Sequence, residues 1–143
     1  MFSDVVMLRK SGFTLIELSI VIVIIGLIVA GVVGGQKLVS SAKLRGIVTD
    51  VDKYRAAYNT FYLTYSSIPG DMTNAQDYWG SGVGNGDGDG RLQNADALKA
   101  WEHLAVAGLI DGTYTGTTDS GSYKSLGVNI PNAAFSSDAG YAF

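Results

Sequence analysis

The sequence predicts an α+β fold in which a long N-terminal helix leads into a small, loop-rich head with one further helix and short strands. Three observations predict it. An apolar stretch runs from Phe13 to Gly35 and has the length of a bilayer-crossing helix. Apolar residues then recur at helical spacing as far as Tyr65. After Pro69 the chain is rich in glycine, aspartate, asparagine and serine, which are turn formers.

The first element is the apolar stretch, whose only ionisable side chain is Glu17. At 1.5 Å per residue it covers a hydrocarbon core of about 30 Å, so we interpret it as membrane-spanning; a buried core helix is the alternative. A carboxylate inside such a helix is costly unless it has a partner, although Glu17 near the start of the stretch could also lie at headgroup level. Basic residues flank both ends, so charge alone does not set the orientation.

The residues before and within this stretch carry a specific pattern, Arg9-Lys10-Ser11-Gly12-Phe13-Thr14-Leu15-Ile16-Glu17-Leu18. A basic leader ending in glycine precedes the apolar run, whereas a secretory signal has its cleavage site after it. The pattern resembles the class III leader of type IV pilins and type II secretion pseudopilins. The resemblance implies a pilin-like fold, cleavage after Gly12 by prepilin peptidase, methylation of the Phe13 amine, and a role for Glu17 in aligning an incoming subunit with its neighbour.

Cleavage after Gly12 also gives Glu17 a physical partner. The new amine on Phe13 is positive, and positions 13 and 17 lie on one helical face. The amine can therefore neutralise the carboxylate within one subunit or in the next.

The second element is an amphipathic stem. Its predicted apolar face consists of Leu44, Ile47, Val48, Val51, Tyr54, Tyr58, Phe61, Tyr62 and Tyr65. Pro69 predicts its end. Aromatic residues at this spacing could stack nucleic-acid bases, but they more often bury in a core.

In the head, the apolar spacing predicts a helix over residues 95–107, closed by Gly108 in a left-handed conformation with Leu109 as the hydrophobic contact. Strand candidates are Thr113–Thr115, Lys124–Val128 and Ala139–Phe143. By resemblance, such strands form an antiparallel sheet packed on the stem, here in a reduced or truncated head.

An acidic glycine loop precedes that helix and has the spacing of a calcium-binding loop. The predicted ligands are Asn85, Asp87, Asp89, the Arg91 carbonyl, Gln93 and Asp96. Asparagine at the first place and aspartate rather than glutamate at the twelfth depart from the usual pattern, and no helix enters the loop. A solvated turn without an ion is the alternative. The nearby Asp71 and Asp77 are interpreted first as caps, with extra ligands and surface charges as the alternatives. His103 is interpreted as a surface or rim residue.

Composition excludes several classes of protein. The chain has no cysteine and one histidine, which argues against disulfide scaffolds, thiolate metal sites and most enzymes. Residues 56–143 carry nine acidic and three basic side chains, so binding of nucleic acid by the head is disfavoured.

These observations predict a structural subunit of a pilus or a secretion pseudopilus rather than an enzyme. The expected parts are a leader (1–12), a membrane and filament-core helix (13–35), a stem (36–68) and a head (69–143).

By resemblance, the partners of the chain are prepilin peptidase, like or unlike pilin subunits and an inner-membrane assembly platform. The chain is expected to cross the inner membrane once with its head outside before assembly. Calcium sites occur among pseudopilins, which slightly favours the pseudopilus. The alternative function is a membrane-tethered module that binds calcium or a substrate and never polymerises.

Overall fold

A computed structural model of the chain describes residues 12–93, 95–117 and 125–143. The helices are α1 (Leu15–Tyr65), α2 (Ala75–Trp79) and α3 (Ala95–Val106), and the strands are β1 (Asn132–Ala133) and β2 (Ser136–Gly140). The strands pair antiparallel in a two-stranded sheet, which confirms the predicted α+β class. The basic pair Arg9 and Lys10 of the leader lies outside the described residues.

The chain divides into two compact units, Met1–Ser41 and Ala42–Phe143. In the described part of the first unit every side chain is exposed, and most of these side chains are apolar. An uncovered apolar helix is unfavourable in water but not in lipid. The first unit therefore has the surface of a membrane helix.

The core of the second unit forms between α3 and the end of α1. Phe61 of α1 is buried with Leu98, Trp101 and Leu104 of α3, and the ring of Tyr54 meets the Trp101 ring edge-on at 4.9 Å between centroids. The aromatic side of the stem thus serves as core.

The stem contributes less of its predicted face than expected. In α1 only Ala57 and Phe61 are fully buried, whereas the predicted face members Leu44, Val48, Val51 and Tyr62 are exposed. The predicted apolar face therefore packs on the core only in part, along the side of α1 that carries Tyr54, Ala57, Phe61 and Tyr65.

Helix α3 ends as predicted. Gly108 has φ +71°, its N–H donates to the carbonyl of Ala105 at 2.9 Å, and the N–H of Leu109 donates to that of Leu104 at 3.0 Å. These two bonds are a Schellman motif, which confirms the predicted closure by Gly108 and Leu109.

The strand positions were predicted poorly. Thr113–Thr115 is not a strand, although the Thr115 N–H donates to the Val128 carbonyl at 3.0 Å. The described residues of the Lys124–Val128 candidate form a turn with a single bridge, Leu126 to Ile130, and Lys124 itself lies outside the described residues. Of the last candidate, only its first two residues belong to β2.

Candidate functional site

The start of α1 is closed by a reciprocal pair of side chains. The Glu17 N–H donates to Thr14 Oγ1 at 3.3 Å, and Glu17 Oε2 accepts from both the Thr14 N–H and the Thr14 hydroxyl at 2.8 Å. This is a capping box, which satisfies backbone donors that a helix start otherwise leaves unpaired. The Thr-x-x-Glu spacing was visible in the sequence and was missed there.

The capping box bears on the predicted role of Glu17. Its carboxylate already has a partner in its own chain, and the Thr14 amide that supplies the partner is retained after cleavage at Gly12. Phe13 precedes the helix and is 87% exposed. Because the chain described here is uncleaved, the pairing of a Phe13 amine with Glu17 stays a prediction.

The acidic loop is wrapped around Asp71. This carboxylate is buried, and its two oxygens accept from the N–H groups of Gly88 at 2.7 Å and Gly90 at 3.0 Å. Gly86 lies so close that a Cβ there would collide with the Asp71 backbone, and its N–H donates to the Met72 carbonyl at 2.8 Å. Asp71 therefore orders the loop instead of capping a helix, which corrects the first interpretation of this residue.

Asp71 also brings together a cluster of three carboxylates. One oxygen each from Asp71, Asp87 and Asp89 lie within 4.8 Å of one another. Asp87 and Asp89 were predicted ligands, whereas Asp71 had been considered only as a possible extra one. Carboxylate oxygens are the ligands that calcium prefers, so the donor chemistry of this cluster fits a calcium ion.

The other predicted ligands have different partners. Asn85 Oδ1 accepts from the Gln76 N–H at 3.0 Å, and Gln93 Nε2 donates to Asp89 at 2.9 Å. Asp96 is paired with the Lys99 ammonium at 2.9 Å. The Arg91 N–H donates to Asp89 at 2.8 Å. Side-chain atoms of Asn85, Gln93 and Asp96 are thus engaged within the chain itself, and their role as metal ligands stays a prediction.

Beneath the loop lies a buried histidine. His103 is completely buried, so its interpretation as a surface or rim residue is wrong. Its Nδ1 accepts from the Gly70 N–H at 2.9 Å, and its Nε2 is 2.7 Å from the Gly84 carbonyl. The first bond requires an unprotonated Nδ1, so Nε2 carries the proton and donates.

Burial of these groups alters their titration. It lowers the pKa of His103, because burial disfavours the charged imidazolium. It raises the pKa of the neighbouring Glu102, whose carboxylate accepts from the Gly84 N–H at 3.1 Å. Both side chains hold the backbone at Gly84, just before the acidic loop.

Comparison with known proteins adds one match. Residues 7–33 match the prokaryotic N-terminal methylation motif, which contains the predicted cleavage site and Glu17. The chain carries the type IV pilin and pseudopilin signature. No curated protein and no solved structure matched.

The pilin signature points to a pilin-like structural subunit and to attachment to a membrane. Helix α1 is long and apolar enough to cross a bilayer. The match ends at residue 33 and does not include the head.

Proposed function

We propose that this protein is the structural subunit of a type IV pilus-like filament or a type II secretion pseudopilus. The observation that carries the proposal is the methylation motif over residues 7–33. In this proposal prepilin peptidase cuts after Gly12, the Phe13 amine is methylated, and the subunit leaves the inner membrane for a filament whose core is the packed apolar helices.

The exposed apolar surface of α1 up to Ser41 supports assembly through this helix. Moving it from lipid into a bundle of like helices gains little hydrophobic transfer energy, so close packing and polar contacts must supply the specificity. Glu17 is the one ionisable side chain available for such a contact between Phe13 and Gly35.

Processing is tested by mass spectrometry of the purified mature chain. We expect the parent to begin at Phe13 with a methylated amine, and the Gly12→Val chain to keep its leader because the small residue before the cut is lost. Normal maturation of Gly12→Val, or a mature parent that still begins at Met1, would refute the assigned cleavage.

Assembly is tested by electron microscopy of material sheared from cells. Filaments that contain the parent chain, and are absent for Gly12→Val, support a filament subunit. Retention of the processed chain in the membrane fraction alone would favour the tethered module. Neighbouring genes for a secretin or for a retraction ATPase distinguish a pseudopilus from a pilus.

The role of Glu17 is tested by separating its charge from its capping bonds. Glu17→Gln retains an oxygen that accepts from Thr14 but removes the charge, whereas Glu17→Ala removes both. If pairing with a Phe13 amine aligns subunits, both variants lose filaments. Normal filaments from Glu17→Gln would show that capping is sufficient.

We also propose that calcium binds at the cluster of Asp71, Asp87 and Asp89. The support is the approach of three carboxylate oxygens in a chain without cysteine to staple its loops. Thermal unfolding of the full chain in detergent, followed by tryptophan fluorescence, compares calcium with chelator. A midpoint rise of about 4–8 °C is expected at a calcium concentration roughly ten times the dissociation constant.

The calcium-induced rise should disappear in Asp87→Asn and persist in Asp77→Asn, which changes an exposed aspartate of α2. Equal midpoints for the parent in calcium and in chelator would argue that the loop is a turn without an ion.

A further inference from the structure

Several side chains of the acidic loop line the same cavity as a lysine. Its members Asn85, Asp87, Gln93 and Asp96 line one shallow cavity of about 260 Å³, and Lys99 lines the same cavity. Lys99 follows the loop on α3 and lies three residues after the twelfth position, Asp96. The four loop side chains therefore share their cavity with a cation from their own chain.

The pairing of this lysine is largely shielded from water. Lys99 Nζ is 2.9 Å from Asp96 Oδ1, and the two side chains are only 20% and 7% exposed. An ion pair with so little exposure is weakly screened, and a carboxylate at this depth is costly without a partner. Asp96 thus depends on the ammonium in a way that a surface aspartate does not.

A second buried carboxylate lies on the other side of Lys99. Glu102 is three residues further along α3 and is 6% exposed, and the positive charge of Lys99 favours its ionised form. Residues three apart are neighbours on a helix surface. Lys99 is therefore ion-paired with one buried carboxylate, Asp96 at the end of the loop, and lies one turn from a second, Glu102, which holds the start of the loop through the Gly84 N–H.

In a calcium loop of this spacing the twelfth side chain directs its carboxylate at the ion. Here that carboxylate meets an ammonium, and the amide oxygen at the first position is engaged by the Gln76 N–H. A metal that recruited Asp96 would have to displace Lys99 and leave its charge in a poorly solvated place.

We infer that the Lys99 ammonium is the resident cation of the Asn85–Asp96 loop. It takes at Asp96 the place that calcium takes in loops of this spacing, and it excludes Asp96 from the ligands of any metal that binds nearby. The inference does not depend on the calcium proposal, since it holds whether or not the cluster of Asp71, Asp87 and Asp89 takes an ion.

The test compares thermal unfolding of the full chain in detergent, with calcium and with chelator, for four proteins: the parent, Lys99→Met, Lys99→Arg and Asp96→Asn. Lys99→Met keeps the aliphatic stem and removes the charge, and Lys99→Arg is the matched control that keeps the charge. Asp96→Asn removes the proposed partner without changing its size.

Lys99→Met should unfold at a lower temperature in chelator. Calcium should also raise its midpoint by about 4–8 °C more than it raises that of the parent, at a calcium concentration roughly ten times the dissociation constant of the variant. The reason is that the Asp96 carboxylate, no longer paired with an ammonium, is open to the metal. Lys99→Arg should follow the parent. Asp96→Asn should keep the parent's response to calcium, including no response if the parent has none.

If the variants fold, either of two results overturns the inference. One is a Lys99→Met chain whose response to calcium equals that of the parent. The other is loss of the parent's calcium response in Asp96→Asn, which would make Asp96 a ligand. If Lys99→Met does not fold in chelator, folding restored by calcium supports the inference and failure in both conditions overturns it. A parent without any response, beside a responsive Lys99→Met, contradicts only the calcium proposal.

Discussion

His103 links two loop segments to α3, and one of its two bonds, the one from the Gly70 N–H, can form only when the ring is neutral. Protonation would turn Nδ1 from an acceptor into a donor facing the Gly70 N–H. The rings of Phe61 and Trp79 lie 6.1 and 6.0 Å from the imidazole, so little water can replace the lost bond. One residue thereby makes the head sensitive to acid.

This geometry predicts loss of stability below about pH 6.5, the ordinary pKa of histidine. Because burial lowers the pKa of His103 in the folded state, the unfolded chain binds the proton first as the pH falls. The free energy of unfolding should then decrease by up to about 1.4 kcal/mol per pH unit until the folded pKa is reached. Urea titrations between pH 7.5 and 5, followed by tryptophan fluorescence, measure this slope.

The matched control is His103→Gln, which offers an acceptor and a donor but does not titrate. Glu102 acts in the opposite direction, since its raised pKa makes folding less favourable as the pH rises through that pKa, and it is retained in both proteins. The difference between their pH profiles therefore isolates His103. Equal slopes in parent and variant would contradict the assignment.

At the scale of elements, two glycines have opposite effects: Gly108 is needed for the end of α3, whereas Gly46 lies inside α1 where another residue would fit. Gly108 has φ +71°, and a Cβ added to it would meet no other atom within 4 Å. Gly108→Ala should therefore lower the free energy of unfolding by about 1–2 kcal/mol through backbone strain alone. Gly46, inside α1, also has open space around it, but its backbone is helical.

Gly46→Ala is the control and should change stability in the opposite direction, by up to about 1 kcal/mol, because alanine is the better helix former. Urea unfolding of both variants checks the pair. A Gly108→Ala chain as stable as the parent would mean that closure of α3 does not require glycine at this left-handed position.

An element could be predicted from the sequence where the residues that determine it are neighbours in the chain. The end of α3 depends on neighbouring residues, so Gly108 and Leu109 were predictable. The two strands pair across a short turn and consist of small or polar residues, so they lack the apolar alternation that identifies strands. The residues that flank β2 are bonded to α1, since Ala134 and Tyr141 both donate to Asp50, and no local sequence pattern predicts contacts between residues so far apart in the chain.

The cluster of Asp71, Asp87 and Asp89 could likewise be predicted only as far as its residues are neighbours in the chain. Asp87 and Asp89 were predicted from their spacing, but Asp71 precedes the loop and joins them only because it bonds to Gly88 and Gly90. His103 gave no sequence signal of burial beyond its place beside Trp101 and Leu104 on α3. The acid–lysine spacing of Asp96 and Lys99 was visible, but its burial was not.

At the scale of the whole molecule, the second unit is closed without a disulfide by bonds from the stem to distant loops. Asp50 Oδ2 accepts from the Tyr141 hydroxyl at 2.8 Å and from the Ala134 N–H at 3.2 Å. Burial and the bond to Asp50 raise the pKa of Tyr141 to about 12, so this donor keeps its proton at neutral pH. Lys53 adds an ion pair with Asp111, which is exposed and therefore contributes less.

Asp50→Ala should remove both bonds of this clamp and lower the free energy of unfolding by about 1–3 kcal/mol, because Tyr141 and Ala134 lose a charged acceptor together. The control is Asp52→Ala, two residues away on α1, where the exposed carboxylate is paired with Arg55 at 3.7 Å. This substitution should lower the free energy of unfolding by less than about 0.5 kcal/mol. Urea unfolding measures both, and limited proteolysis should cut Asp50→Ala first near its C-terminal residues. Equal stability and equal cleavage patterns for the two variants would show that the C-terminal segment is held by its aromatic contacts with Tyr54 and Trp101 and not by Asp50.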